Sequence, residues 1–129
     1  MVSLLIVSHS AQLAAGVKEF AEQVAGGKVQ IADAGGAADG SLGTSVDRIQ
    51  ERLRQVASPD GTLVLVDLGS AVLSVEMAIE ALGVGRVQIS DAPLVEGAYL
   101  AAIEASDAGA GLEQVAEAAL QARDLIKVH

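Results

Sequence analysis

Short unbroken apolar runs alternate along the chain with longer stretches in which apolar residues recur every three or four positions. The runs "LLIV" (residues 4–7) and "LVLV" (63–66) lack the alternation of a strand wetted on one face. They read as strands covered on both faces, in the middle of a parallel sheet. Strands are predicted at Ser3–Ser8, Lys28–Ala32, Thr62–Leu68 and Arg86–Ser90. Between them, Leu13, Val17, Phe20, Ala21 and Val24 share one helical stripe, and Val46, Ile49, Leu53 and Val56 share another. A third helix, Ser70–Leu82, carries Val72, Leu73, Val75, Met77 and Ile79 on more than one face, as expected of burial in the fold or against a second subunit. Helices from about Leu94 to Ser106 and about Leu112 to Lys127 follow, separated by the breaker "DAGAG" at 107–111. Four strand–helix units and a terminal helix predict a three-layer α/β domain with a mainly parallel four-stranded sheet, right-handed crossovers and five flanking helices.

The longest irregular stretch is "ADAGGAADGSLG", residues 32–43. A long glycine-rich loop at the carboxyl end of a strand is a favoured place for function. The chain's 129 residues suit one domain spanning 1–129. With one Phe, one Tyr and no Trp, the core must be Val, Leu, Ile and Ala, which implies close approach of helices and sheet. Eight scattered basic residues against 17 acidic ones, a net charge of −9, give no footprint for nucleic acid. A phosphate handled here must meet local amides and hydroxyls. There is no Cys, hence no disulfide or thiol nucleophile, and no apolar run long enough to span a membrane. The expectation is a cytoplasmic location.

Ligands of open parallel sheets bind beyond the carboxyl ends of the strands. Four junctions share that edge: "VSHSA" (7–11), "LGTSV" (42–46), "DLGSA" (67–71) and "DAPLVEGA" (91–98). Ser10, Thr44, Ser45 and Ser70 lie at or beside helix starts, where each alone is explained as an N-cap. Together, and with Gly43 and Gly69 letting amides approach an oxyanion, they also suit a phosphate pocket. His9 ends the first strand and Asp67 the third. If those strands are neighbours, the carboxylate takes a proton from one ring nitrogen and leaves the other as a lone pair, a nucleophile or general base; alone, each residue also reads as an ordinary turn or cap. The motifs of a serine hydrolase, a dinucleotide site and a P-loop are absent. His129, the only other histidine, is terminal, so neither a metal nor another cofactor is expected.

The sequence "VSHS", "GTS", "DLGSA" and "DAPLVEGA", in this order and spacing, resembles the phosphocarrier subunits of phosphoenolpyruvate-dependent dihydroxyacetone kinase, whose domain is similar to the mannose-class IIA domain of the sugar phosphotransferase system. The resemblance runs from about Val2 to the last helix. It implies a sheet of order 2-1-3-4, a homodimer, and a phosphorelay in which His9 accepts a phosphoryl group from the carrier protein HPr. The group then passes to ADP held on the nucleotide-binding kinase subunit. Ser10 and "DLGSA" favour this branch over the mannose transporters. With Asp67 on one ring nitrogen, the phosphoryl group is expected on the other, Nε2. Two other readings stand beside it: a IIA component feeding a sugar permease, and a non-catalytic α/β module binding a small anion. Leu42, Leu68 and Leu94 are candidates for an apolar docking rim, and core packing explains each equally well.

Overall fold

A computed structural model describes residues 1–83 and 85–129. Its elements run β1 (Ser3–Ser8), α1 (Ala11–Ala25), β2 (Ile31–Gly35), α2 (Val46–Val56), β3 (Thr62–Val66), α3 (Ser70–Leu82), β4 (Val87–Ile89), α4 (Leu94–Ala105) and α5 (Leu112–Leu120). A 3-10 turn, Gln121–Asp124, follows. The sheet is parallel, of order β2-β1-β3-β4. Both the α/β class and the strand order are as expected.

The continuous apolar runs are explained by the pleat. Leu4 and Ile6 of β1, with Leu63 and Leu65 of β3, face the core beneath α1, α4 and α5. Leu5 and Val7, with Val64 and Val66, face the core beneath α2 and α3. Successive side chains serve opposite layers, so neither strand has a wet face. Ala98, Ala101, Ala102 and Ala105 bury the inner face of α4. A Cβ on Gly97 would lie 2.8 Å from the Ala92 Cβ, which shows how close this helix comes to its neighbours.

Several boundaries differ from expectation. The second strand is Ile31–Gly35 rather than Lys28–Ala32, so "ADAG" belongs to the sheet and the loop starts at Gly36. Pairing fixes this, with Leu4 opposite Ile31 and Ser8 opposite Gly35. Gly35 lies beneath the start of α1, where a Cβ would come within 2.5 Å of the Ser10 carbonyl oxygen and 2.8 Å of the Ala11 Cα. Its glycine is therefore a close-approach residue, not a loop signal. The third strand ends at Val66 and the fourth spans Val87–Ile89, each shorter than predicted.

The last α-helix ends at Leu120, not near Lys127. The chain tightens into the 3-10 turn and then becomes extended at Leu125, and Ile126 and Val128, 69% and 86% exposed, have no layer to pack on. On α1 the buried line is Ala14, Val17, Ala21 and Ala25, which leaves Leu13 and Phe20 exposed. Phe20 instead stacks on Tyr99 of α4, with ring centroids 5.6 Å apart. Only Ala71, Val75 and Ala78 of α3 are buried, and Leu73 and Met77 face outward.

Candidate functional site

Val7 of β1 is registered with Val66 of β3, so His9 and Asp67 leave the sheet side by side. The Asp67 carboxylate meets donors on both oxygens. Oδ2 accepts from the Ser8 hydroxyl and from the His9 backbone N–H, each at 2.9 Å. Oδ1 accepts from the Leu68 N–H at 2.7 Å and lies 3.0 Å from Nδ1 of His9. A carboxylate so surrounded is an acceptor only, so the hydrogen-bond network assigns the ring proton to Nδ1. Burial alone would raise the Asp67 pKa, but the hydrogen bonds from His9 and Ser8 outweigh it and hold the carboxyl below its ordinary value.

The other ring nitrogen is then a lone pair turned outward. Nε2 lies 3.0 Å from Ser70 Oγ, which donates to it in this tautomer. The side chains are 27% exposed for His9 and 13% for Asp67, so the imidazole is reachable while its anchor is shielded. Ser70 opens α3, whose N-cap, Gly69, makes no side-chain cap bond. The Gly69 and Ser70 N–H groups therefore belong to an uncapped helix start beside Nε2.

The remaining sequence candidates sort by what already occupies them. Ser10 caps α1, accepting from the Leu13 N–H at 3.1 Å, and its own N–H donates to Ser8 Oγ at 3.0 Å. Ser45 caps α2 by accepting from the Arg48 N–H at 3.2 Å. Thr44 Oγ1 pairs with Ser74 Oγ of α3 at 2.8 Å. The Gly43 N–H donates to the His9 carbonyl at 2.9 Å, and its φ of +147° is one glycine tolerates. These contacts tie the glycine-rich loop to the histidine, whereas Ser70 and the start of α3 stay nearest the free lone pair.

Of the three candidate rim leucines, Leu42 and Leu68 are 79% and 60% exposed, and Leu94 is buried in the core. A cleft of about 340 Å³ beside Asp67, Leu68 and Gly69 extends to Asp91 and Arg123, which form an ion pair. Among the described residues no His, Asp and Glu side chains cluster as metal ligands, and no helix is long and apolar enough to cross a membrane. Two serines outside the predicted set, Ser8 and Ser74, also contact site residues. Ser8 closes a fully buried strand that also opens with a buried serine, Ser3, so its polarity alone does not mark it as the anchor of Asp67.

The family described as PTS system fructose IIA component matches residues 3–116. A phosphoryl donor subunit DhaM of a PEP-dependent dihydroxyacetone kinase from Listeria innocua is 37% identical over 107 residues, covering 81% of this chain and 86% of that protein. The corresponding subunit from Klebsiella michiganensis is 40% identical over 99% of this chain, but the match takes in 28% of that protein, so this chain spans little more than a quarter of its length. A crystal structure of a protein of unknown function superposes with a TM-score of 0.78 at 36% identity, covering 93% of each chain. With its four junctions at one sheet edge and these matches along nearly its whole length, the chain belongs to the mannose-class IIA family of the phosphotransferase system, on the branch of the dihydroxyacetone kinase phosphoryl donor subunits.

Proposed function

We propose that the chain is a phosphohistidine carrier in which Nε2 of His9 holds the phosphoryl group. The observation that carries this reading is the double hold on the imidazole. Nδ1–H is fixed on Asp67, and the Nε2 lone pair points out of the sheet edge toward Ser70. A lone pair held in one direction by a half-buried, hydrogen-bonded carboxylate is a prepared nucleophile.

In the forward step the Nε2 lone pair attacks the phosphorus of a phosphohistidine on the donor, taken to be HPr. The new N–P bond forms as the donor's N–P bond breaks, and that bond's electron pair returns to the donor imidazole. The His9 ring gains positive character, which the ionised Asp67 offsets through Nδ1–H. Ser70 must release Nε2 as the bond forms, and its hydroxyl can then donate to a phosphoryl oxygen together with the amides that open α3. In the second transfer a terminal phosphate oxygen of ADP, on the nucleotide-binding subunit of a dihydroxyacetone kinase, attacks the phosphorus; an O–P bond forms as the Nε2–P bond breaks and its electron pair returns to Nε2. The similarity to phosphoryl donor subunits supports the direction of flow.

Partners that fit a chain of net charge −9 present a basic or mixed face. A homodimer accords with the outward apolar residues Leu73 and Met77 of α3, and sedimentation velocity would test it. The test of the carrier is intact-mass spectrometry after incubation with phosphoenolpyruvate, enzyme I and HPr at neutral to alkaline pH. One phosphoryl adduct is expected, absent from His9→Ala, with ³¹P–¹⁵N NMR assigning it to Nε2. Absence of an adduct on the parent chain would return the pocket to simple anion binding, and attachment at Nδ1 would overturn the geometric argument. Capture of a membrane-associated IIB partner instead of a kinase subunit would favour a sugar permease.

A further inference from the structure

We propose that Ser8 is a positioning residue for the His9–Asp67 pair: its buried hydroxyl locks the Asp67 carboxylate in the orientation that keeps the ring proton on Nδ1 and the lone pair on Nε2. The consequence for phosphoryl transfer rests on the carrier reading above; the geometric claim does not.

Ser8 is fully buried, the last residue of β1, and its side chain makes two contacts. The Ser10 N–H donates to Ser8 Oγ at 3.0 Å, so one lone pair of the hydroxyl is used. A hydroxyl has a single proton, and here its acceptor is Asp67 Oδ2 at 2.9 Å. The direction of that bond is therefore fixed by the backbone: with Ser10 N–H already pointing in, Ser8 donates outward to Asp67.

The same Oδ2 accepts the His9 N–H, so Ser8 and the His9 backbone hold one oxygen from two directions. That leaves Oδ1 aimed at Nδ1. Loss of the Ser8 hydroxyl leaves Oδ2 with only the His9 N–H, so the carboxylate, still met by the Leu68 N–H at Oδ1, is held by fewer donors about a terminal torsion that is intrinsically broad. The backbone of Ser8 stays anchored, since its carbonyl accepts from the Gly36 N–H at 3.1 Å and its strand pairs with Gly35. The hydroxyl can thus be removed with the strand retained. Ser8 also joins the carboxylate to the first turn of α1 through Ser10, so histidine, aspartate and helix start move as one body.

The test reads the imidazole directly. With ¹⁵N-labelled histidine, long-range ¹H–¹⁵N spectra of neutral His9 report which ring nitrogen bears the proton, with no phosphoryl donor present. The parent should show Nδ1–H. In Ser8→Ala the Nε2–H form should become a major species, and transfer from phospho-HPr should fall about tenfold or more, as for other misaligned reacting groups. Ser8→Thr, which keeps the hydroxyl, should restore both. Ser8→Cys, of similar size but a weak donor, should shift the tautomer in the direction of Ser8→Ala and serves if that variant does not fold. A parent-like tautomer ratio in a folded Ser8→Ala or Ser8→Cys would overturn the proposal. If the parent takes no phosphoryl group at all, the carrier reading fails while the tautomer comparison still decides the role of Ser8.

Discussion

Replacing Asp67 by Asn separates the cost to the fold from the cost to the chemistry, because the new amide has a forced orientation. Four donors converge on the two Asp67 oxygens. An amide offers one oxygen and one NH₂. The Oδ2 position faces the His9 N–H, which can only donate, and the Ser8 hydroxyl, whose proton would be orphaned if it accepted there. The amide oxygen therefore takes that position and the NH₂ takes the other. There it meets Nδ1 and the Leu68 N–H. The ring can adapt by moving its proton to Nε2 and accepting from the amide through Nδ1.

One donor, the Leu68 N–H at the exposed side of the site, then lacks a partner in the protein and turns to water. The stability loss is about 1 kcal/mol, the low end for an unmade hydrogen bond, or a fall in Tm of about 3–5 °C. The chemical loss is far larger. With its proton on Nε2 the imidazole has no outward lone pair, and a comparable wrong-tautomer substitution in a serine protease costs about 10⁴-fold. Asp67→Asn is thus expected to unfold within a few degrees of the parent while phosphoryl uptake from phospho-HPr falls about 10³-fold or more, about 4 kcal/mol at 1.36 kcal/mol per tenfold. Thermal denaturation, the ¹⁵N tautomer spectrum and rapid-quench transfer measure the three quantities. Retention of Nδ1–H in the variant, or transfer within tenfold of the parent, would refute the reasoning.

Because the folded pKa of Asp67 is depressed, its contribution to stability is complete above the ordinary carboxylate range and is lost as pH falls through the folded value. The stability difference between parent and Asp67→Asn should therefore shrink below about pH 4; denaturant titrations giving the same difference at pH 3 as at pH 6 would contradict the assignment. Ser70→Ala removes the donor to Nε2 but no helix-cap bond, so Tm should change little while phosphoryl transfer slows about tenfold, the lower range for loss of one transition-state donor; quench-flow kinetics beside calorimetry checks this. Gly35→Ala should cost about 1–3 kcal/mol by forcing β2 from the start of α1, whereas Gly69→Ala, whose Cβ meets open space at a helical φ of −56°, should be nearly neutral in the same melts.

The layered fold was legible because its signals are local. Two doubly covered strands announce themselves as "LLIV" and "LVLV", and Ser10 and Ser45 are caps of the expected kind. The second strand lies beyond its predicted span because its residues Ala32 to Gly35 have low strand propensity and are held there by pairing and by the close passage of α1, both nonlocal facts. Helix α1 misled in the opposite way: Leu13 and Phe20 lie within the apolar stripe, but the layer beneath accepts only its alanines and valine. His9 and Asp67 could be paired from sequence once β1 and β3 were taken as neighbours. Ser8 could not, since nothing in "VSHS" says that one serine turns inward to the carboxylate while the next turns to cap a helix.

That division of labour bears on why the site suits passage of a phosphoryl group rather than its retention. The backbone N–H groups of His9, Ser10, Gly43 and Leu68 all lie around the imidazole, yet each already donates within the protein, to Asp67, Ser8 or the His9 carbonyl. Committed amides cannot wrap an incoming anion; they fix the nucleophile and the loop beside it instead. On the proposed reading the donors beside Nε2 for phosphoryl oxygens include the Ser70 hydroxyl and the opening amides of α3, and Ser70 must first give up its bond to Nε2. The gain on binding is offset by that lost bond, and the same exchange favours return of the lone pair to Ser70 when the group departs. A pocket with every amide free would hold phosphate more tightly and release it more slowly, which is the wrong property for a relay working between two partners.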